Sequence, residues 1–285
     1  MKKFELISFV TAGELASHVA GAWLDEIESA RRTDKPHCVA LSGGRITHKL
    51  FTSVVEQAKV RKIGDGGTPS LPGNVHFFWA DERCVPPDDP ESNFKLADEL
   101  LFAPLKIPGK QIHRIRGEDS PDAAVKSADE ELRRVISGAC FSPSPQRGEG
   151  RGEEAKFSNP LAPALSPLER GEGVESQPVL DLVFLGMGED GHVASLFPDA
   201  PAEVVNHPGP FLFIENSPKP PPRRVSLSYA AIAAARQVWV LISGAGKEQA
   251  LRESLDFSRK TPLAKVIELR QKTLIFGQIE ADKII

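Results

Sequence analysis

Five short segments of this 285-residue chain bring together residue types that can do chemistry. The densest is Leu185–Pro198, LGMGEDGHVASLFP. In it His192 follows Gly191 and sits close to the acidic pair Glu189 and Asp190. Histidine is the side chain that accepts and returns a proton near neutral pH, so His192 is the candidate general base. Gly186, Gly188 and Gly191 also fit G-x-G-x-x-G. A dinucleotide site needs a long helix after the third glycine and an acidic residue about 20 positions later. Here Pro198 and Pro201 cut such a helix short, and position 211 is Phe, so the match is accidental. Asp190, His192 and Ser195 invite a triad reading, but neighbouring turn positions rarely converge in triad geometry, and no G-x-S-x-G elbow is present. Asp190 is a candidate catalytic residue, as a hydrogen-bond orienter of the ring or as part of the turn, with the turn the favoured reading.

The other four segments supply charge and backbone amides. Ser42-Gly43-Gly44-Arg45-Ile46-Thr47 joins an apolar run to a helical pattern. Its glycines let the backbone approach an anion, and a helix N-terminus presents free N–H groups. Ser42 and Thr47 add hydroxyls and Arg45 a charge. Phe78–Pro86, FWADERCVP, leaves another apolar run with Asp81, Glu82 and Arg83 crowded together. A divalent metal on Asp81 and Asp88 has no further ligand to support it, and no metal is expected. Ser217–Leu227, SPKPPPRRVSL, is a stiff proline approach to two arginines. Ser243–Lys247, SGAGK, is a glycine turn opening a helix, without the spacing of a P-loop. Arg224 as a fork and Lys247 as a point charge suit a phosphate. With the SGG turn they would make a cationic pocket for a small anion.

These segments sit where strands end and helices begin. Glu5–Val10, His37–Leu41, Val75–Ala80, Val179–Leu185, Phe211–Ile214, Val238–Ile242 and Thr273–Phe276 read as strands. Thr11–Arg32, the stretch from Ser42-Gly43-Gly44 to about Val60, Ser92–Phe102, Pro121–Ser137, Tyr229–Ala235 and Gly246–Asp256 read as helices, with Thr11 and Glu14 forming a capping box at the first. Near-continuous apolar strands alternating with helices predict an α/β fold around a mostly parallel sheet. The pattern stops over 139–178, which is rich in Pro, Gly, Ser and charge and repeats RGEG at Arg147–Gly150 and Arg170–Gly173. Such a segment buries too little to offset its ordering entropy and reads as a disordered insertion in a single domain spanning 1–285.

Composition excludes several classes. Lys+Arg of 35 against Asp+Glu of 39 gives a net charge of −4, which argues against nucleic acid as the main partner. Three scattered cysteines, Cys38, Cys84 and Cys140, suggest neither zinc site nor disulfide framework. Glu5 and Glu14 interrupt the N-terminal apolar stretch, so no membrane span or leader is expected and the protein reads as cytoplasmic.

The five segments, in this order, resemble the 6-phosphogluconolactonases, in the superfamily shared with glucosamine-6-phosphate deaminases. The most specific parts are ADERCVPPDDPESNF (Ala80–Phe94) and LGMGEDGHVASLFP, supported by PPRRVSLS and SGAGK. The resemblance implies a Rossmann-like α/β fold and hydrolysis of 6-phospho-D-glucono-1,5-lactone to 6-phosphogluconate in the oxidative pentose phosphate pathway. It implies a phosphorylated sugar lactone as the ligand and no metal or organic cofactor. By motif, His192 would be the base. Ser42, Gly43, Gly44, Arg45, Thr47, Arg224 and Lys247 would hold the phosphate. Asp81 and Arg83 would line the lactone site, with Arg83 or glycine-turn amides facing the developing oxyanion. The family's first loop often reads SGGSTP, where this chain has Arg45-Ile46-Thr47 after the glycines. Deaminases typically continue the DGH segment as IAFNEP, with a helping carboxylate; here the run is VASLFP, which favours the lactonase. A silent sugar-phosphate-binding regulator on the same scaffold is the remaining alternative.

Overall fold

The computed structural model describes residues 3–33, 35–61, 63, 71–138 and 176–279. The expected disordered insertion, but for 176–178, lies outside the described residues. In chain order the elements are β1 (Phe4–Phe9), α1 (Ala12–Ala30), β2 (His37–Leu41), α2 (Arg45–Val60), β3 (Val75–Trp79), β4 (Asp81–Arg83) and α3 (Asn93–Ala97). A π-helical turn, Asp98–Phe102, leads into α4 (Ala103–Leu105) and a 3-10 turn at Gly109–Gln111. Then follow α5 (Pro121–Ile136), β5 (Leu182–Gly186), α6 (Ala202–Val205), β6 (Phe211–Ile214), β7 (Arg224–Leu227), α7 (Tyr229–Ala234), β8 (Gln237–Ile242), α8 (Glu248–Leu255), α9 (Pro262–Leu269) and β9 (Thr273–Gln278).

Six strands form one parallel sheet in the order β1-β9-β8-β5-β2-β3. Its strands are apolar along most of their length because both faces are covered. A row of rings crosses one face: Phe77, Phe184, Trp239 and Phe276, with Trp23 of α1 wedged edge-on against Phe184 at 4.9 Å. The capping box at α1 is present, with Thr11 Oγ1 accepting from Glu14 N–H and Glu14 Oε2 accepting from Thr11 N–H, both at 3.1 Å.

The strand order fixes where a ligand can sit. The crossover after β2 runs outward to β3, while that after β5 runs the other way to β8. Right-handed crossovers then place α2 and the elements between β5 and β8 on opposite faces. The carboxyl ends of β2 and β5, side by side, part to leave a crevice between them. The SGG and LGMGEDGH segments emerge from those two ends.

Two strands went unread in the sequence. The polar triplet β4 and the arginine-led β7 pair antiparallel, and β6 joins them in a separate sheet ordered β4-β7-β6. Phe211–Ile214 therefore belongs to this small antiparallel sheet and not to the parallel one. A strand of three charged residues has no periodicity to detect; β4 forms because Asp81–Arg83 find Ser226–Arg224 opposite them. Helix α9 also lay outside the sequence reading, although Thr261 caps it by accepting from Ala264 N–H at 3.1 Å.

Arg270 is a buried cation held by carbonyls. Its Nη1 donates to Ile232, Ala233 and Ala235 oxygens at 2.8–2.9 Å, and Nη2 to Arg236 at 3.2 Å. These are the oxygens that the end of α7 leaves without helical partners. Burial pulls its guanidinium down to about 10, still charged at neutral pH. Arg270→Ala should lower the unfolding free energy by roughly 2–4 kcal/mol, read by denaturant titration, because several buried oxygens lose their donor.

On β3, His76 Nδ1 lies 2.8 Å from His113 Nε2, and His113 Nδ1 lies 2.7 Å from Glu131. Burial lowers His76 to about 4, with the neighbouring His113 adding to the effect, and burial lowers His113 too. The unfolded chain then binds protons that the folded one refuses. Their contribution is complete above pH 6.5 and fades as the pH falls to about 4. The melting temperature should drop across that window, and His76→Phe should flatten the drop.

Candidate active site

The cleft at the carboxyl ends of β2, β5 and β8 has a volume of about 300 Å³. Ser42–Ile46 line it from β2, Gly186–Glu189, His192 and Ala194 from β5, and Leu241 and Lys247 from β8. Asp81, Arg83, Asn93, Lys219, Pro220 and Arg224 close the remaining side. All predicted site residues but Thr47 and Asp190 therefore line one cavity.

The histidine is held from behind. His192 Nδ1 lies 2.5 Å from Asp190 Oδ1, so Asp190 accepts the Nδ1 proton and Nε2 is the basic nitrogen. Of the two roles the sequence left open for Asp190, orienter of the ring or part of the turn, the contact fits the orienter. Gly191 adopts φ +80°, which folds the three-residue bend tightly enough for the contact. Gly188 lies beneath the pair, where a Cβ would be 2.0 Å from His192 Nδ1. Phe197 covers the ring at 4.7 Å between centroids. Burial pushes the His192 pKa below its ordinary value, against the pull of the Asp190 carboxylate. Burial therefore favours the neutral imidazole over the imidazolium. No helix follows Gly191 before Ala202, in keeping with the rejection of a dinucleotide site.

The SGG turn offers backbone rather than hydroxyls. Ser42 Oγ donates to Phe184 O at 2.7 Å, pinning β2 to β5. Thr47 Oγ1 donates to the Ser42 and Gly43 carbonyls at 3.1 Å and does not line the cleft. Both hydroxyls that the sequence assigned to phosphate are thus committed to holding the turn. Gly44 at φ +112° takes a conformation that suits glycine, and Gly43 leaves room for Asn93, whose Oδ1 would lie 1.9 Å from a Cβ there. Arg45 is largely exposed, with Glu189 at 3.9 Å, a weak restraint in water. Lys247 is half-buried at the mouth of α8; burial lowers its pKa, with Arg45 adding to the effect.

The segment after β3 is clamped by a residue that the sequence reading placed in the charged cluster but gave no role of its own. Glu82 is buried and accepts from the N–H groups of Arg83, Asn93 and Phe94 at 2.8 Å and from Ser92 Oγ at 3.1 Å. Burial raises its pKa, while these donors favour the ionised form. The clamp sets Asn93, whose Nδ2 donates to Asp81 O at 2.8 Å, and Arg83, whose Nη1 donates to Glu91 O. Asp81 accepts from Ser195 Oγ at 2.7 Å.

Arg224 corrects another expectation. Its Nε donates to Pro221 O and its Nη2 to Lys219 and Pro220 oxygens, at 3.0–3.1 Å. Nη1 faces Ser195 Oγ at 3.4 Å and Asp81 Oδ2 at 3.9 Å. The guanidinium is a buried post around which the proline segment hooks, not a free fork for phosphate. The hook carries Lys219 over the cleft, with Nζ 3.9 Å from Asp190 Oδ1. Lys219 stood in the SPKPPP segment as an unremarkable cation; its position depends on a loop path that no periodicity encodes. Arg224→Lys keeps the charge and loses the three-way geometry. It should lower stability by roughly 1–3 kcal/mol by denaturant titration, beyond any change in activity.

A family model described as glucosamine-6-phosphate isomerases/6-phosphogluconolactonase matches residues 10–276. The 6-phosphogluconolactonase of Mycobacterium tuberculosis is 34% identical over 241 residues, covering 78% of this chain and 83% of the relative. That of Haemophilus influenzae is 30% identical over 248 residues, covering 87% and 84%. Among solved structures, 6-phosphogluconolactonase from Thermotoga maritima superposes with a TM-score of 0.67 at 26% identity, covering 96% of this chain and 98% of that one. The enzyme from Trypanosoma cruzi gives 0.71 at 25% identity, covering 97% and 95%. With its parallel sheet, its glycine-bend histidine and these likenesses, the chain belongs to the glucosamine-6-phosphate isomerase/6-phosphogluconolactonase family.

Proposed function

We infer that the protein hydrolyses 6-phospho-D-glucono-1,5-lactone to 6-phosphogluconate, a cytoplasmic step of the oxidative pentose phosphate pathway. The observation that carries this reading is His192, held from behind by Asp190, in a cleft lined by Arg45, Lys247 and the SGG turn. A neutral imidazole with its Nδ1–H taken by a carboxylate is a base at Nε2. The relatives named 6-phosphogluconolactonase support the choice of substrate.

His192 Nε2 takes a proton from water as the water oxygen bonds to C1 of the lactone. The carbonyl oxygen becomes an oxyanion. When the tetrahedral centre collapses, the C1–O ring bond breaks and the imidazolium returns its proton to the leaving ring oxygen. The new carboxylic acid loses a proton to solvent. Asp190 keeps the ring in the right tautomer and stabilises the imidazolium. We assign Arg83 to the charge on the oxyanion, since the Gly188 and Gly191 amides donate to the His192 and Gly188 carbonyls. The phosphate rests on the SGG amides, the start of α2, Arg45 and Lys247, and fixes C1 near the water. Of the run after His192, Ala194 is the residue that lines the cleft, and Ser195 is tied to Asp81. No carboxylate stands where a deaminase has one, which favours the lactonase over an aldose–ketose isomerase.

The test is hydrolysis of freshly generated lactone, corrected for its spontaneous opening. His192→Ala should lose about 10²-fold or more in kcat with folding intact. The wild type should strongly prefer the phosphorylated lactone over gluconolactone, and Lys247→Ala should erode that preference by raising KM. Equal rates on the two lactones would sink the phosphate pocket, and an unchanged His192→Ala rate would remove the base. A wild type that binds the lactone without opening it would be the silent regulator.

A further inference from the structure

Asp190 Oδ1 has three donor or cationic neighbours, the His192 backbone N–H at 3.3 Å among them. His192 Nδ1 lies at 2.5 Å and Lys219 Nζ at 3.9 Å from the same oxygen. Lys219 does not reach this place by chance of its own rotamers alone. Its backbone is fixed on both sides. Its N–H donates to Ser217 Oγ at 3.2 Å, and its carbonyl accepts from Ser217 Oγ at 2.9 Å and from Arg224 Nη2 at 3.0 Å. Ser217 N–H donates to Pro222 O at 2.8 Å, closing the hook. The prolines at 218, 220, 221 and 222 remove most remaining freedom. The side chain itself makes none of these bonds and is part-exposed, so its charge can be changed without unmaking the hook.

We propose that Lys219 is a positioning residue of the hydrolytic reaction: its ammonium competes with the His192 ring for Asp190 Oδ1 and so weakens the carboxylate's hold on a protonated ring. The proposal rests on the lactonase reading for its part in turnover. The physical reasoning is electrostatic. The carboxylate at 2.5 Å stabilises the imidazolium and so works against burial, which favours the neutral ring. A second cation on the same oxygen takes back part of that stabilisation. The other groups around the ring do not substitute for it. Asp81 approaches from β4 and favours the imidazolium, but Ser195 and Arg224 face its charge. Glu189 is turned to Arg45. Phe197 covers the ring with hydrocarbon. Lys247 and Arg45 stand at the phosphate end of the cleft. Lys219 is thus the cation that shares the orienting carboxylate.

The experiment is an NMR titration of the His192 ring in wild type, Lys219→Met and Lys219→Arg, without substrate. In Lys219→Met the ring pKa should rise by about half a unit or more. Lys219→Arg should restore most of the wild-type value. The acid limb of kcat/KM for the lactone should move the same way, to higher pH in Lys219→Met, with the plateau rate changed less than the limb. A ring pKa unmoved in Lys219→Met, in a folded variant, overturns the proposal. So does an equal shift in Lys219→Arg, which would assign the effect to packing. A wild type with no lactone hydrolysis would overturn the functional reading, and with it Lys219's part in that reaction, while the ring titration still decides the contact.

Discussion

The contact between Asp190 and His192 exists because position 188 has no side chain. The imidazole folds back over Gly188 to reach a carboxylate two residues upstream, and a single methyl group there would occupy the space of Nδ1. Everything chemical follows from that bend. It selects the tautomer and buries the ring, which lowers the imidazole pKa. The bend in turn is anchored to the scaffold: Gly191 O accepts from Leu263 N–H at the start of α9, and Gly188 N–H is taken by His192 O. These ties close the bend on itself and hold it, and with it the imidazole, to the start of α9.

Charge is arranged around the cleft in two groups. At one end, the glycine turn, Arg45 and Lys247 line the cleft, with the Glu189 carboxylate beside Arg45. At the other, carboxylates are consumed internally: Glu82 by amides, Asp81 by Ser195 and Arg224, Asp190 by His192 and Lys219. An acidic protein thereby presents a cationic mouth without a basic surface. The buried pairs are held by hydrogen bonds on both partners, which is the condition for charges to stay ionised away from water.

The parallel sheet was legible because its strands are apolar along their length and its helices are amphipathic. The strand ends, and with them the SGG turn and His192, followed from that. What the sequence did not disclose is whatever depends on chain paths through loops. The antiparallel sheet is built from one triplet of charged residues and one strand led by arginine, and neither has a period. Glu82 and Lys219 look like solvated charges in a string of letters; only the fold turns one into a clamp and the other into a neighbour of the base. Arg224, Ser42 and Thr47 show the converse. Their types suit an anion, yet their donors are spent on nearby carbonyls, because a buried turn must satisfy its own oxygens first.

The long polar stretch between α5 and β5 joins the body through Ser137 and Gly138 on one side and Ser176 on the other, where Arg133 Nη1 donates to Ser176 O at 3.1 Å. That junction precedes the amino end of β5, whereas the cleft opens at the carboxyl ends. Both described ends of that stretch therefore lie away from the cleft. With its two ends tied together by that bond, the seam is a natural place to graft a reporter or affinity handle, since neither end is part of a sheet strand.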